Sequence, residues 1–444
     1  MKKAALISLG CPKNQVDSEM MLGLLRERGY ELTQDPAEAD WIIVNTCGFI
    51  TSAKEESIEA ILEAAEYKKT GRCKKLAVTG CLAQRYREEM RRELPEVDVI
   101  AGTADYHHII ELLEGEETEL FGDINCSPDY RILPRINSMP FYTAYLKIAD
   151  GCDNHCTYCV IPSIRGKYRS RSMEELTAEA EALAKDGVRE LILVAQDTTA
   201  YGTDLYGERK LAELLRRLCR VEGLHWIRFH YGYPEGVTEE LLEVMAKEPK
   251  ICHYLDLPIQ HCSNGLLKRM GRRCTKEQLV ELFAQIRRTL PDAALRTSVI
   301  VGFPGETEEQ YEELCHFAEE VGFDRMGVFC YSPEEGTPAA QMEEQIDESV
   351  KEQRRDGLML CQGRISLEKN QQKLGRTLEV LTEGFDGEKA LYFGRSYADS
   401  VEIDGTVYFG SEQELSPGDF VLVKIEDADE YDLYGQQVTI DEEG

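Results

Sequence analysis

The first 125 residues alternate between short apolar runs and longer stretches in which apolar residues recur every three or four positions. Such short runs predict buried strands, and the longer amphipathic stretches predict helices. The predicted strands are residues 4–9, 41–45, 76–79 and 97–101, and the predicted helices are 16–28, 52–68, 84–93 and 106–114. Strands that alternate with helices predict a parallel α/β sheet covered by helices, which we assign to residues 1–125.

A second series of strand and helix patterns begins after a proline-containing stretch at residues 126–140, which is typical of a linker. Six strands separated by helical segments are predicted at residues 144–149, 190–195, 226–231, 254–259, 296–301 and 326–331. Six such units are fewer than the eight that close a TIM barrel. Residues 141–374 are therefore predicted to form a partial, TIM-like (β/α)6 barrel with an open side.

The pattern changes again after residue 374. Short strands are predicted at residues 377–382, 390–394, 406–409, 420–425 and 436–440, and Gly, Asp and Pro turns separate them. Several short strands with frequent turn residues predict a small five-stranded antiparallel β-barrel over residues 375–444. The fold class predicted for the whole chain is therefore α/β with a β-barrel at the carboxyl end.

Composition limits the cellular context. The chain has 444 residues, 42% of them hydrophobic, which predicts two or three domains with proper cores. Neither a signal peptide nor a membrane span is recognisable, so a cytoplasmic protein is expected. The net charge of −31 argues against strong general binding of nucleic acid and favours a basic partner. In a reducing compartment the 15 cysteines are expected to be metal ligands or small buried side chains rather than disulfides.

Three of these cysteines lie close together in the C-x-x-x-C-x-x-C sequence of Cys152, Cys156 and Cys159. Iron–sulfur clusters are normally held by four cysteine thiolates, so a tight group of three predicts a cluster with one open iron. Two alternatives remain open. The three thiols could hold zinc together with His155 or a distant fourth ligand, or two of them could form a redox C-x-x-C pair.

A second group of three cysteines is spread over the amino-terminal region. Cys11, Cys47 and Cys81 each come just after a predicted strand, and Gly10, Gly48 and Gly80 stand next to them in positions suited to tight turns. The carboxyl ends of parallel strands meet at one edge of a sheet, where open α/β sheets bind ligands. These thiols are therefore predicted to hold a second cluster, again with one open iron. Three separately packed core cysteines are the alternative.

Polar residues also follow the strands of the predicted barrel, where barrel enzymes carry their chemistry. They are Gln196 and Asp197, Gln260 and His261, and the turn from Gly302 to Glu306. Ordinary turns and strand caps are the alternative for these residues. A basic run after Cys159 is expected to form a solvated cationic rim, with the orientation of an acidic substrate group as the alternative; it consists of Arg165, Lys167, Arg169 and Arg171.

The C-x-x-x-C-x-x-C spacing with an aromatic residue before the last cysteine resembles the radical S-adenosylmethionine superfamily, and the carboxyl-terminal barrel resembles a TRAM domain. Together with the amino-terminal cysteines, this order resembles the methylthiotransferases over essentially the whole chain. The closest resemblance is to the ribosomal-protein (RimO-type) branch. It rests on the strings SLGCPKNQVDSE, VNTCGFI, VTGCLAQRY, GCDNHCTYCVIPSIRGK, VAQDTTAYG and VGFPGETEEQ.

This resemblance implies a radical enzyme that adds a methylthio group to the β-carbon of an aspartate in the small-subunit ribosomal protein uS12. It implies two [4Fe-4S] clusters and S-adenosylmethionine as cofactors, a reducing electron donor and a sulfur donor. Cys152, Cys156 and Cys159 would be the catalytic ligands of the radical cluster. Cofactor contacts are implied for Tyr158, Gln196, Gln260, Arg296, Gly302, Gly305 and Glu306.

Charge bears on the substrate. Residues 375–444 contain four Lys or Arg and 18 Asp or Glu, a net charge of −14, which would repel phosphates and attract a basic ribosomal protein or the assembled small ribosomal subunit. A tRNA adenosine methylthiotransferase (MiaB-like) shares both cysteine groups and remains an alternative. A non-enzymatic iron–sulfur scaffold or electron carrier is a more remote one, since it would need fourth ligands, for which Cys262 and Cys274 are candidates.

Overall fold

The computed structural model describes residues 2–438. The amino-terminal part contains a six-stranded sheet whose strands are β1 (Lys3–Ser8), β2 (Glu31–Leu32), β3 (Trp41–Thr46), β4 (Lys75–Gly80), β5 (Val99–Ala101) and β6 (Glu119–Leu120). The strand order is β2-β1-β3-β4-β5-β6, and every neighbouring pair is parallel. This is the parallel sheet that the sequence predicts, extended at its two edges by the unpredicted two-residue strands β2 and β6.

Five helices accompany this sheet: α1 (Pro12–Glu27), α2 (Thr51–Thr70), α3 (Cys81–Arg85), α4 (Arg87–Glu93) and α5 (Ile109–Glu114). Separate hydrophobic clusters on the two faces of the sheet bury β3 completely. Two predicted helix starts were wrong. α1 begins at Pro12 instead of residue 16, because proline is well suited to the first helical turn. The stretch predicted at 84–93 is two helices, of which the first begins at Cys81.

The central part contains β7 (Thr143–Lys147), β8 (Ala149–Asp150), β9 (Arg169–Ser170), β10 (Glu190–Val194), β11 (Trp226–Phe229), β12 (Tyr254–Asp256), β13 (Ala294–Val301) and β14 (Arg325–Cys330). Apart from the small β8–β9 pair, these strands form two parallel sheets, β11-β10-β7 and β12-β13-β14. A parallel bridge between Ile227 and Ile251 links them. The result is the six-stranded open arc predicted from the sequence.

The helices of the arc are α6 (Ile161–Arg165), α7 (Met173–Lys185), α8 (Leu211–Leu218), α9 (Glu239–Lys247), α10 (Asn264–Arg269), α11 (Lys276–Thr289), α12 (Glu308–Val321) and α13 (Glu348–Gln371). α7, α11 and α12 each begin with a capping box, in which Ser172, Thr275 and Thr307 accept the backbone N–H three residues later. The apolar faces of these helices pack on the strands in the largest hydrophobic core of the molecule.

The carboxyl-terminal part is a closed barrel of β15 (Thr377–Asp386), β16 (Leu391–Ser396), β17 (Val407–Gly410), β18 (Phe420–Ala428) and β19 (Leu433–Val438), in the order β15-β16-β17-β19-β18. Four strand pairs are antiparallel as predicted, and β17 with β19 is parallel. The last strand begins at Leu433 rather than residue 436. Residues 439 and 440 of the predicted strand, and the rest of the predicted domain after residue 438, lie outside the described residues.

This small barrel packs against the amino-terminal ends of the central strands. A hydrophobic cluster there joins Trp226, Tyr254 and Ala294 to Leu381 and Ala398. The segment between β16 and β17, residues 397–406, extends into the arc. Its members contact residues on the central strands: Ser400 with His230 (2.8 Å), Asp404 with Tyr254 (2.6 Å), and Asp399 with Arg325 (3.0 Å). The carboxyl-terminal barrel therefore closes one end of the arc and leaves the opposite end to the amino-terminal sheet.

Two ion-pair groups attach the amino-terminal part to the central part. Glu334, which is nearly fully buried, binds Lys54 at 2.9 Å and Arg85 at 3.0 Å. Arg135 lies in the stretch predicted as a linker, yet it is buried and binds both Glu19 and Glu179. Residues 126–140 are thus part of the interface between the two sheets. None of the helices within residues 2–438 combines the length and apolar character needed to cross a membrane.

Candidate active site

Cys11, Cys47 and Cys81 follow β1, β3 and β4, which are adjacent strands in the centre of the amino-terminal sheet. Cys11 immediately precedes α1, and Cys81 is the first residue of α3. The backbone turns so closely here that a Cβ atom on Gly10, whose φ is +92°, would be 2.8 Å from the Cβ of Cys47. Adjacent strands and tight turns therefore bring the three thiols to one edge of the sheet, as predicted.

The local environment of these thiols suits a metal better than free thiolates. Burial raises the pKa of Cys47, and it raises the pKa of Cys81 to about 11 despite the nearby cation Arg165. The guanidinium of Arg165 donates a 3.6 Å hydrogen bond to the Sγ of Cys81. Metal coordination deprotonates buried cysteines of this kind, so the donor set and the neighbouring positive charge fit an iron–sulfur cluster.

Cys152, Cys156 and Cys159 lie between β8 and α6 at the opening of the central arc. Backbone N–H groups of Asn154 and Ile161 donate to the Sγ atoms of Cys152 (3.4 Å) and Cys159 (3.5 Å). Burial raises the pKa of Cys152 to about 11 and that of Cys159 to about 12. Buried thiols that accept backbone hydrogen bonds are the usual surroundings of a cluster, because such bonds adjust its reduction potential.

The zinc alternative finds no support in the geometry. His155 is exposed, and among residues 2–438 no three His, Cys, Asp or Glu side chains converge on a point where a single metal ion would bind. A four-iron cluster is several ångström across, so its ligands need not meet at one point. Cys262 and Cys274, the candidate fourth ligands, are buried in the hydrophobic core of the central part.

One loop lies between the two cysteine groups. Tyr231 follows β11 with a φ of +63°, an unusual conformation for a residue other than glycine. Its ring contacts the ammonium of Lys13, which is two residues along the chain from Cys11, and burial raises the pKa of Tyr231. Two residues later, the hydroxyl of Tyr233 lies 3.4 Å from the Sγ of Cys156. The two groups of thiols therefore face the same space between the amino-terminal sheet and the arc.

A buried cluster of four charges forms one wall of this space. Asp17 from α1 binds both Lys147 and Arg165, and Asp150 binds the same two cations. Two residues of the basic run after Cys159 are therefore not part of the solvated rim expected from the sequence, whereas Lys167 is exposed. Arg165 is 2% exposed and pairs with carboxylates of both parts, and Arg171, also buried, binds Glu179 at 2.6 Å.

Several predicted cofactor contacts lie near the group of Cys152, Cys156 and Cys159. Tyr158 packs in the same apolar cluster as Phe303, next to Gly302. Gln196 donates to Asp150 at 3.0 Å, while its own Oε1 is buried without a hydrogen-bond partner among the described residues. Gln260 has a φ of +69° and pairs through its backbone with β13. An unpaired buried acceptor and a strained backbone are features of ligand sites.

Two other predicted contacts are already engaged by the protein. Glu306 is fully buried and binds the N–H of Gly302 (2.6 Å), His261 (3.1 Å) and Arg354 (2.7 Å), so its carboxylate holds its own turn together. Gly305 approaches Arg269 so closely that a Cβ there would be 2.1 Å from its guanidinium. For Glu306 and Gly305, the alternative of an ordinary structural turn fits these contacts better than direct binding of a cofactor.

Arg296 lies near the beginning of β13, in agreement with the strand predicted at residues 296–301, and it binds Asp256 at 2.9 Å. Its Nε is 3.5 Å from Asp404 of the carboxyl-terminal segment. The guanidinium therefore fastens the segment that closes the arc, and its contact with a cofactor stays a prediction.

Comparison with known proteins agrees with this division of the chain. Residues 3–102 match the model of the uncharacterized protein family UPF0004, residues 146–318 that of the radical SAM superfamily, and residues 374–438 that of the TRAM domain. Proteins named ribosomal protein uS12 methylthiotransferase RimO match almost from end to end. The one from Lachnoclostridium phytofermentans is 53% identical over 98% of this chain and 99% of its own. The chain belongs to this methylthiotransferase family.

Other methylthiotransferases of the family give the same result. The relative from Clostridioides difficile is 53% identical over 98% of both chains, and the one from Geobacter sulfurreducens is 52% identical over 99% of both. Among solved structures, the radical S-adenosylmethionine methyltransferase TsrM from Kitasatospora setae has a TM-score of 0.57. It is 14% identical over 85% of this chain and 79% of its own, a likeness of fold alone.

Sequence reasoning missed several residues of the space between the cysteine groups in this methylthiotransferase. Lys13 is two residues from Cys11, and its Nζ lies 3.7 Å from the ring centroid of Tyr231. Tyr233 and Asp17 were not considered either. In the sequence, only position could have indicated them: Lys13 and Asp17 follow Cys11 on one helix, and both tyrosines follow a strand of the barrel.

Proposed function

We propose that this protein transfers a methylthio group to the β-carbon of an aspartate in ribosomal protein uS12. The observation that carries the proposal is that one loop lies between the two cysteine groups: Tyr233 contacts Cys156, and Tyr231 contacts Lys13, which is two residues along the chain from Cys11. A reaction that needs a radical at one cluster and sulfur at another requires both to reach the same substrate carbon. The near end-to-end similarity to uS12 methylthiotransferases supports the same assignment.

Each cysteine group would hold one [4Fe-4S] cluster. Cys152, Cys156 and Cys159 would ligate the radical cluster, whose open iron would take S-adenosylmethionine. The second cluster would be held by Cys11, Cys47 and Cys81. When bound, these groups supply the hydrogen-abstracting radical and the sulfur, which no protein side chain can supply. The protein provides buried thiols, backbone N–H donors to two of them, and Arg165 beside a third.

Tyr158, Gln196, Gln260 and the turn that begins at Gly302 would line the cofactor position. The unpaired Oε1 of Gln196 can accept a hydrogen bond from an amino group, and the ring of Tyr158 offers an apolar surface beside Phe303. Glu306 and Gly305 would act indirectly, because they shape the turn. A reducing electron donor and a sulfur donor are needed for turnover.

Charge supports a basic macromolecular partner. The net charge of −14 over residues 375–444 favours the free ribosomal protein or the assembled small subunit over tRNA. Mass spectrometry of uS12 and of tRNA, from a strain lacking this protein and from the complemented strain, tests the substrate. We expect the methylthio group on the aspartate to depend on this protein. A dependence of methylthio-adenosine in tRNA instead would refute the assignment.

The cluster assignment is tested on anaerobically reconstituted protein, which should carry about eight iron and about eight sulfide. Changing the three cysteines of either group to Ala should halve that content. The variant without Cys11, Cys47 and Cys81 should still cleave S-adenosylmethionine reductively but transfer no sulfur. Normal product from that variant would mean that the amino-terminal thiols are structural, and a zinc preparation that modifies uS12 would contradict the radical chemistry.

A further inference from the structure

Lys13 is a buried cation without an acidic partner. It lies in the first turn of α1 and is 8% exposed, and within residues 2–438 its ammonium makes neither an ion pair nor a hydrogen bond. The other two buried lysines are paired, Lys147 with Asp17 and Asp150, and Lys351 with Glu348. Lysine is almost never buried without a partner, so a largely buried lysine that has no partner among the described residues indicates a site for an anion that comes from outside the chain.

The position of Lys13 is between the two cysteine groups. Its Nζ lies 3.7 Å from the centroid of the Tyr231 ring, and Tyr231 belongs to the loop whose Tyr233 contacts Cys156 at 3.4 Å. Cys11 is two residues away along the chain. Tyr231 holds a left-handed conformation that is strained for a residue other than glycine, and proteins tolerate such strain mainly at functional sites. The ring supports the ammonium, but a cation–π contact leaves its charge unneutralised.

Three carboxylates around this space are paired with cations. Asp17 and Asp150 are bound by Lys147 and Arg165, and Asp256 accepts from Arg296 and from the N–H of Tyr231. A fourth, Asp197, lies on the side of Cys152 and accepts from Asn154 and Thr199. A second cation without a carboxylate partner, Arg272, lies 4.1 Å from the ring centroid of Tyr233, on the side of Cys156, and donates to the carbonyl of Pro258. Among the described side chains on the side of the amino-terminal cysteines, Lys13 is therefore the buried cation that has no carboxylate partner.

We propose that Lys13 binds the side-chain carboxylate of the acceptor aspartate. This inference rests on the proposed function, in which the reacting β-carbon is bonded directly to that carboxylate carbon. A charge-assisted hydrogen bond to the carboxylate fixes the β-carbon between the two clusters, and it selects a carboxylate over an amide. Lys13 would thus determine which side chain of the ribosomal protein, rather than which protein, is modified.

The test is a double-mutant cycle between enzyme and substrate. Two forms of uS12 are used, one with the acceptor aspartate and one with asparagine in its place. Each is titrated against the wild-type holoenzyme and the Lys13→Met holoenzyme, and equilibrium dissociation constants are measured. We expect the wild type to prefer the aspartate form at least tenfold and Lys13→Met to bind both forms within twofold, because truncating one partner of a buried charge pair leaves the other unpaired.

The conservative variant and a matched control complete the experiment. Lys13→Arg should keep most of the preference, whereas Lys2→Met, which removes another lysine lying over an aromatic ring (Trp41, 4.7 Å), should leave it unchanged. Iron content and the EPR spectrum of each variant show whether both clusters are present, and Lys13→Gln replaces Lys13→Met if the latter does not assemble them.

A neutral Lys13 variant with both clusters that still prefers the aspartate form tenfold would overturn the inference. If in that case the wild type methylthiolates uS12, the proposed function stands and only the role of Lys13 falls. If the wild type modifies tRNA and not uS12, the proposed function fails and the inference falls with it.

Discussion

The ion pairs of Glu190 connect the arc to the carboxyl-terminal barrel, and we predict that they contribute strongly to stability. Glu190 is the first residue of β10 and is fully buried. It accepts hydrogen bonds from Arg395 of the small barrel at 2.6 and 3.2 Å and from Arg228 of β11 at 3.2 Å. Glu190→Gln keeps the shape of the side chain but leaves the buried guanidinium of Arg228 without its negative partner and that of Arg395 with Glu383 alone (2.8 Å).

The magnitude follows from the pKa of Glu190. Burial alone would raise it, but Arg395 and Arg228 more than offset burial and lower the pKa from 4.5 to about 2. A shift of this size corresponds to about 3 kcal/mol, similar to the 3–5 kcal/mol typically lost when one partner of a buried pair is removed. Because the folded pKa is the lower one, this stabilisation is complete above about pH 4.5 and is lost as pH falls towards 2.

The measurement is urea unfolding followed by the fluorescence of Trp226, which packs at this interface with its ring centroid 4.8 Å from that of Phe420. A Trp41→Phe background leaves Trp226 as the only tryptophan. We expect Glu190→Gln to lower the free energy of unfolding by about 3 kcal/mol at pH 7, and the difference from wild type to shrink below about pH 4.5.

The control is Glu174→Gln, which removes an exposed partner of Arg217 (2.6 Å) and should cost less than about 1 kcal/mol. A loss below about 1 kcal/mol for Glu190→Gln, or a difference from wild type that does not change with pH, would refute the reasoning.

Three further predictions concern the interfaces and the radical site. Glu334→Gln should loosen the amino-terminal sheet, since Glu334 binds Lys54 and Arg85, and hydrogen exchange should rise in α2; unchanged exchange would contradict this. Tyr233→Phe removes the hydroxyl beside Cys156 and should lower the reduction potential of the cluster held by Cys152, Cys156 and Cys159 in an EPR-monitored titration. An unchanged potential would show that this hydroxyl does not contact the cluster. The exposed acids in β18 and the turn after it are Glu426, Asp427 and Glu430. Replacing them with the corresponding amides should slow the association of the protein with uS12 and make the association rate less dependent on salt. Equal association rates for the variant and the wild type would exclude electrostatic steering by these residues.

Asp429 is left out of this last set for a structural reason. Its carboxylate accepts the N–H groups of Tyr431 and Asp432 and the hydroxyl of Tyr434, so it holds the turn before β19 together. Replacing it would change the fold of the barrel as well as its charge.

The sequence by itself determined the strands, their order of appearance and the placement of both cysteine groups. Every residue of β3 and β10 is buried. Short apolar runs of this kind can be recognised in the sequence because the pattern that predicts a buried strand is local along the chain. Cys11, Cys47 and Cys81 could be expected to meet, since the carboxyl ends of parallel strands lie at one edge. The family resemblance came from short strings around these same cysteines.

Only the tertiary structure decided which polar groups are free and which are engaged. Arg165 binds Asp17 over 148 residues of chain, and Arg395 binds Glu190 over 205. Arg296 and Glu306 were predicted as cofactor contacts but are engaged by Asp256 and Arg354, whereas Lys13, which carried no signal, has no acidic partner within residues 2–438. The hydrophobic pattern records only whether a position is buried. The partner of a buried charge depends on which distant elements pack against it, and that is settled when the three parts of the chain come together.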